Sequence, residues 1–238
     1  MPGRAVPRGW AVQALGLVAG YADAAAYLGL GHVFAANMTG NTVLLGIGVI
    51  AWATGRRLLP STPLLAILSL AGFAVGALVA AVLLRRIAWR IGYRLGLLLE
   101  AGLLIAVAAG WTITGWSAAG RTAAGQRPGL YPELGLLIVL SAAMGAQSAL
   151  AHRVGVRGVP TTVVTTSMVT ALVGAASGKR RGAPTLAWVV YLVGGAAGAV
   201  GTEAFGAAVL WPLPAVLAVL AAKSSETDPV PEATRSGH

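Results

Sequence analysis

The chain has 238 residues, of which 57% are hydrophobic and only 10% charged, with a formal charge of +10 and no cysteine. A soluble domain of this length carries roughly 25% charged residues and breaks its apolar runs every few positions, so the composition excludes one. The missing thiols exclude disulfides and cysteine chemistry, and basic residues clustered between apolar runs, rather than along one helix face, speak against nucleic acid as a partner.

Eight apolar segments follow in order, at about 10–31, 38–53, 63–84, 95–116, 134–151, 161–178, 184–202 and 204–222. Many approach the roughly 20 residues that a helix needs to cross about 30 Å of hydrocarbon, and none shows the alternation of a barrel strand. The expected fold is an all-α, polytopic transmembrane helix bundle, with the lipid bilayer as its first partner. Residues 1–222 form a single membrane domain, and the polar, proline-containing residues 223–238 read as a disordered tail.

The first segment follows Arg4 and Arg8 and loosely imitates a signal peptide, but it is long, contains Asp23 and precedes further membrane segments, so it reads as the first span. Asp23 lies about 13 positions into a segment of 22 residues, close to the expected midplane. Gly16, Gly20, Asp23 and Tyr27 share one helical face. A carboxyl at such depth costs about 2.5–3.5 kcal/mol on insertion scales unless it is paired, protonated or hydrated. Two readings stand: a proton, cation or substrate site, or a hydrogen bond between helices.

The second segment opens with Asn37, Met38, Thr39, Gly40 and Asn41. Thr39 or Asn41 would cap a helix start there, or present polar groups to a substrate at a helix N-terminus within the bundle. The third segment carries Gly72 and Gly76, a small-xxx-small pair suited to close helix packing. Glu100 lies about six residues inside the fourth segment and is expected to reach back to the interface near Arg94 and Arg90.

Residues 117–132, with five glycines and prolines among sixteen residues, read as a linker between two repeats at about 10–116 and 133–222. In the second repeat Gly145, Gln147 and Ser148 stand where Gly20 and Asp23 stand in the first. Thr165, Thr166 and Ser167 follow at the distance of Thr39 and Asn41, and Gly194 and Gly198 match Gly72 and Gly76. Thr162, Thr166 and Thr170 form a hydroxyl stripe at helical spacing that either lines a pathway or bonds neighbouring helices. A tight turn is expected near Glu203 and Gly206.

Loop charge bears on the topology. With eight spans and the N-terminus inside, 11 of the 17 lysines and arginines fall inside; if 38–53 and 161–178 each enter and leave by one face, six segments span and the split is 13 to 4. The second arrangement makes the repeats inverted and both termini cytoplasmic, and it buries the two polar segments in the bundle. Four basic residues between the third and fourth segments could also attract anionic lipid, although orienting the helices explains them more simply.

The run from Gly20 through Asp23 to Phe34, Asn37, Met38, Thr39, Gly40 and Asn41, with Met144, Gly145, Gln147, Thr161, Thr162 and Thr165, resembles the YoaK-like family of bacterial membrane proteins of unknown function. The resemblance covers about residues 10–222, with Ser148 and Thr166 departing from the family pattern. It implies an integral membrane protein of about six spans and no settled activity.

The leading expectation is a small transporter or permease of the bacterial inner membrane, for a small molecule or ion. Asp23, Asn37, Thr39, Gly40, Asn41, Gln147, Thr162, Thr165, Thr166 and Thr170 would line its pathway, and Gly16, Gly20, Gly72, Gly76, Gly194 and Gly198 would pack its helices. The alternative is a non-transporting membrane scaffold. No catalytic constellation, metal-ligand spacing or cofactor motif is present, so neither an enzyme, a metal site nor a cofactor is expected. Association with further copies of the chain is left open.

Overall fold

The computed structural model describes residues 9–56, 63–87, 89–114, 130–154, 168–169, 172–174, 176–177 and 182–223. Its helices are α1 (Gly9–Gly29), α2 (Met38–Thr54), α3 (Pro63–Arg85), α4 (Trp89–Thr114), α5 (Leu130–Val154), α6 (Gly182–Phe205) and α7 (Pro212–Lys223). A 3₁₀ turn, Gly206–Ala208, joins the last two. Among the described residues five helices (α1, α3, α4, α5 and α6) are long and apolar enough to cross a membrane, and α2 and α7 are shorter apolar helices. The chain is a polytopic helical membrane protein.

Glycines set the closest helix contacts. A Cβ on Gly20 would collide with the backbone of Tyr191, while one on Gly194 or Gly198 would collide with that of Leu17 or Tyr21. From Leu17 on Gly194 to Tyr21 on Gly198 the contacts advance together along both helices, so α1 and α6 run parallel. In the same way Gly72 and Gly76 sit against the backbone of Ile138 and Ala142, and Gly145 against that of Phe73, so α3 and α5 run parallel. Without a hydrophobic drive between helices in lipid, such close backbone approach supplies the dispersion energy of association. Gly16 has nothing within 4 Å of a built Cβ and takes no part in this packing.

The remaining contacts orient the bundle. Gly96 meets Leu150 and Gly110 meets Leu136, so α4 lies antiparallel to α5. A Cβ on Gly29 would strike the Trp111 ring, which puts the ends of α1 and α4 together at what is here termed the distal end. The Trp211 Nε1–H donates to Thr112 Oγ1 at 3.2 Å, and Lys223 Nζ lies 5.5 Å from the centre of the Trp10 ring. Thus α7 starts at the distal end and returns to the proximal end, where α1 begins. The directions of α1, α3, α4, α5, α6 and α7 alternate.

The exception is α2. Asn41 meets Ser69 and Gly48 meets Pro63, so α2 is antiparallel to α3 and runs the same way as α1. Two consecutive helices of one direction require the chain between them to turn back. Residues 30–37 do so, with Gly31 and His32 at positive φ, a conformation that is uncommon for a residue with a side chain. Leu30, Val33, Ala35 and Ala36 are buried, so this irregular stretch descends into the bundle before α2 rises to the distal end. Gly55, left-handed at φ 65°, closes α2 through its N–H.

Several expectations need correction. Segment 38–53 does not lie inside the bundle: α2 packs on α3 and buries only Asn41 and Gly48 along its length. Its apolar outer face, with Val43, Ile47, Ile50 and Trp52, is exposed, and only its first turn enters. The fourth helix starts at Trp89, ahead of position 95, because the basic and aromatic residues before the apolar run extend the helix. Likewise α5 starts at Leu130, inside the expected linker, with Pro132 tolerated in the first turn. The last turn falls at Gly206 (φ 54°) to Leu210, as expected at Gly206, with Glu203 just before it still helical and exposed. The rest of the linker, most of 161–178 and the tail beyond Lys223 lie outside the described residues.

Candidate functional site

Four of the buried polar side chains among the described residues, Asp23, Asn41, Ser69 and Ser141, gather where the re-entrant stretch meets the two glycine-packed helix pairs. Asp23, 3% exposed, directs Oδ1 at the re-entrant backbone, accepting from Ala36 N at 2.6 Å and from Asn37 N at 3.2 Å. Its Oδ2 accepts from the Tyr191 hydroxyl of α6. These amides open the N-terminus of α2, where N–H groups are otherwise orphaned and the helix dipole favours negative charge. Asn37 caps the helix, with Oδ1 accepting from Gly40 N at 3.0 Å. A Cβ on Gly40 would press on the Phe34 ring.

One turn on, the fully buried Asn41 grips Phe34. Its Oδ1 accepts from Phe34 N at 2.8 Å, and its Nδ2 donates to Phe34 O at 2.7 Å and to Ser69 Oγ at 2.9 Å. Ser69 donates to the same Phe34 carbonyl at 2.7 Å and contacts Ser141 Oγ at 2.9 Å. A hydroxyl carries one proton, so with that of Ser69 directed to Phe34, Ser141 is the donor in the last pair. A continuous seam thus runs from α5 through α3 and the re-entrant stretch to α1 and α6. It engages backbone groups that have no water to bond at such depth.

The structure brings Asp23, Asn37, Gly40 and Asn41 into this seam. Thr39 is exposed instead, because neighbouring helical positions differ by about 100° in direction. Gln147 is buried but apart from the seam; its Nε2 donates to Leu15 O at 3.0 Å and ties α5 to α1. Thr162, Thr165, Thr166 and Thr170 lie outside the described residues. Tyr191, Ser69 and Ser141 were not anticipated. The only signal was that Ser69 and Tyr191 are isolated polar positions in apolar runs.

Asp23 lies six residues, about 9 Å, before the end of α1 at Gly29, while its partner Tyr191 lies nine residues into α6 and Ser141 eleven residues into the 25-residue α5. A second buried carboxyl is Glu100, eleven residues into the 26-residue α4. It does not reach the interface: it is 1% exposed, and neither carboxyl oxygen has a hydrogen-bond partner among the described residues. Arg94, expected near it, points outward and is exposed.

A groove of about 520 Å³ lies elsewhere, between α3 and α5, lined by Ala77, Ala81, Ala149, Arg85 and His152 among others. Arg85 and His152 place it near the proximal end.

Comparison with known proteins adds a family. The family model described as "Protein of unknown function (DUF1275)" matches residues 11–223. The chain is 31% identical over 159 residues to the UPF0700 transmembrane protein YoaK of Bacillus subtilis (strain 168), a match covering 66% of this chain and 62% of that protein. The matched region therefore spans about three-fifths of that relative's length. No solved structure matches.

Proposed function

The chain belongs to the DUF1275 family, and from that premise we propose that it is a secondary transporter of the bacterial inner membrane, moving a small molecule or ion past the Asp23 seam. The observation that carries this reading is the re-entrant stretch itself. Backbone that leaves helical geometry at membrane depth is tolerated only when buried in protein or lining a wet path, and broken helices whose N-termini point at a site recur in transporters. Here the N-terminus of α2 points at a buried carboxylate, and the stretch before it bridges two helix pairs, α1–α6 and α3–α5, each joined by glycine contacts. Rocking one pair against the other would open and close the seam.

The pairing also supports two inverted repeats. The first helix of each half packs in parallel on the third main helix of the other half, so Gly20 meets Tyr191 and Gly195 as Gly145 meets Phe73 and Ala77. In the same register Gly194 meets Leu17 as Gly76 meets Ala142. This correspondence aligns Gly20 with Gly145, in line with the sequence similarity. Alternating directions support six spans. The proximal end, which holds Arg85, Arg86 and the start of α1, is then the cytoplasmic one, as the positive-inside rule requires.

Uptake into proteoliposomes of radiolabelled amino acids, sugars and organic anions, under an imposed pH gradient, tests the reading. Wild-type protein should accumulate at least one of them, and Asp23→Asn should not, while retaining its helical circular-dichroism spectrum and monodisperse elution. Equal accumulation by the Asn variant would sink it. One observation favours a scaffold instead: both Asp23 oxygens are engaged by the protein's own donors. On that reading Asp23→Asn lowers thermal stability, and the wild-type protein accumulates nothing across the panel.

A further inference from the structure

Glu100 is the one carboxyl in the described bundle that is buried with both oxygens lacking a donor. It sits eleven residues into α4, with fourteen after it, so about 16–21 Å of helix separates it from either end. Its helix neighbours Leu97, Ala101 and Leu104 are buried and apolar. By the register of Gly96 on Leu150 and Gly110 on Leu136, α5 presents Met144 and Gln147 near its depth, and Gln147 is engaged with Leu15. On α7 the buried positions are Leu213, Pro214, Leu217, Leu220 and Ala221, all apolar.

Few ionisable groups surround it. Tyr93, two turns toward the proximal end, shares its face of α4. Arg85 of α3, His152 of α5 and Lys223 of α7 all lie in the last turn or two of their helices at the proximal end, and Arg94 of α4 is exposed. Arg90, Glu133 and Arg153 belong to terminal turns of α4 and α5. Among the described residues no cation is paired with Glu100. Asp23 lies at a depth about 10 Å nearer the distal end, by the register of α1, α4 and α5.

We propose that Glu100 is an exchangeable proton site at mid-depth in the bundle, separate from the Asp23 seam. A carboxylate without donors is expensive in such surroundings, whereas the neutral acid gives up only its hydroxyl's hydrogen bond. Glu100 therefore takes a proton in the closed bundle and releases it when water reaches it, the carboxylic O–H breaking and the proton passing to that water. Asp23 is poorly suited to this task, because a proton on it would displace one of three donors. The two acids divide the work: Asp23 holds the re-entrant stretch, and Glu100 carries the proton. The site's existence does not depend on transport, and coupling to a substrate rests on the function proposed above.

Dicyclohexylcarbodiimide, which reacts with protonated carboxyls in apolar surroundings, tests the site on the full chain in lipid vesicles. Peptide mass mapping should place the adduct on Glu100, with labelling lost as external pH is raised. Asp23→Asn should label at Glu100 as the wild type does, and Glu100→Gln should lose that adduct. Because mapping is done on the wild type, the result stands even if Glu100→Gln fails to fold. An adduct on Asp23 alone, or on neither acid, overturns the proposal. So does labelling of Glu100 that is unchanged by pH. The experiment uses no substrate, so its failure leaves the transport reading to its own uptake assay.

Discussion

Asn41 holds Phe34 by both of its backbone groups, taking the N–H on Oδ1 at 2.8 Å and giving Nδ2–H to the carbonyl at 2.7 Å. The pairing mimics the ladder that a neighbouring strand would supply, and it lets seven residues of separation close into one fixed turn inside the bundle. Ser69 adds a second donor to the same carbonyl, so the re-entrant stretch is tied to α3 as well as to α2.

Asn41→Ala should therefore destabilise the protein more than a cavity of that size implies. Phe34 N loses its acceptor, and a buried group left unsatisfied costs about 1–3 kcal/mol. The apparent melting temperature, followed by circular dichroism in one detergent, should fall clearly below that of the wild type. Unchanged melting would mean that water or another group satisfies Phe34.

Gly16 and Gly20 lie one helical turn apart on α1 and should respond in opposite directions. Alanine at Gly16 meets nothing within 4 Å and gains about 0.5–1 kcal/mol of helix propensity. Alanine at Gly20 collides with the Tyr191 backbone and forces α1 from α6, with overpacking of this kind costing about 1–3 kcal/mol. Melting of the two variants side by side checks the contrast; equal responses would remove α6 from this position.

Tyr191→Phe leaves Asp23 with its two backbone donors and removes only the hydroxyl. Hydrogen bonds to charged groups contribute about 1.5–3 kcal/mol, so the variant should melt below the wild type while keeping the same helix content. Asp23→Ala, which frees the amides of Ala36 and Asn37 as well, should melt lower still. If Tyr191→Phe proved the worse of the two, the hydroxyl would serve a partner besides the carboxylate.

Single cysteines at Arg56, Arg90, Arg121 and Arg157, introduced into a chain that has none, report topology through membrane-impermeant maleimide labelling. The alternating helix directions predict that Arg90 and Arg157 share the cytoplasmic face and that Arg56 and Arg121 share the other. Finding Arg56 on the cytoplasmic face would make α2 a full span and dissolve the re-entrant arrangement.

Hydropathy and residue rarity carried much of this architecture. Apolar runs marked α1 to α7 because lipid solvates each helical turn locally, independently of its neighbours. Asp23 and Asn41 stood out because polar groups are rare in such runs. Thr39 was misleading, since adjacency to Asn41 in sequence does not give it the same helical direction. Ser69, Ser141 and Tyr191 passed unmarked, because a single hydroxyl in an apolar helix says nothing of its partner.

What local pattern could establish was the membrane, the helices and the candidates for buried polarity. Which candidates pair, and at what depth, was settled by contacts between remote positions: Tyr191 with Asp23 across 168 residues, Gln147 with Leu15 across 132, Ser69 with Ser141 across 72. A hydropathy window sees a carboxyl's cost but not its donors. The same kind of residue therefore reads alike in α1 and α4, although packing surrounds Asp23 with donors and leaves Glu100 with none.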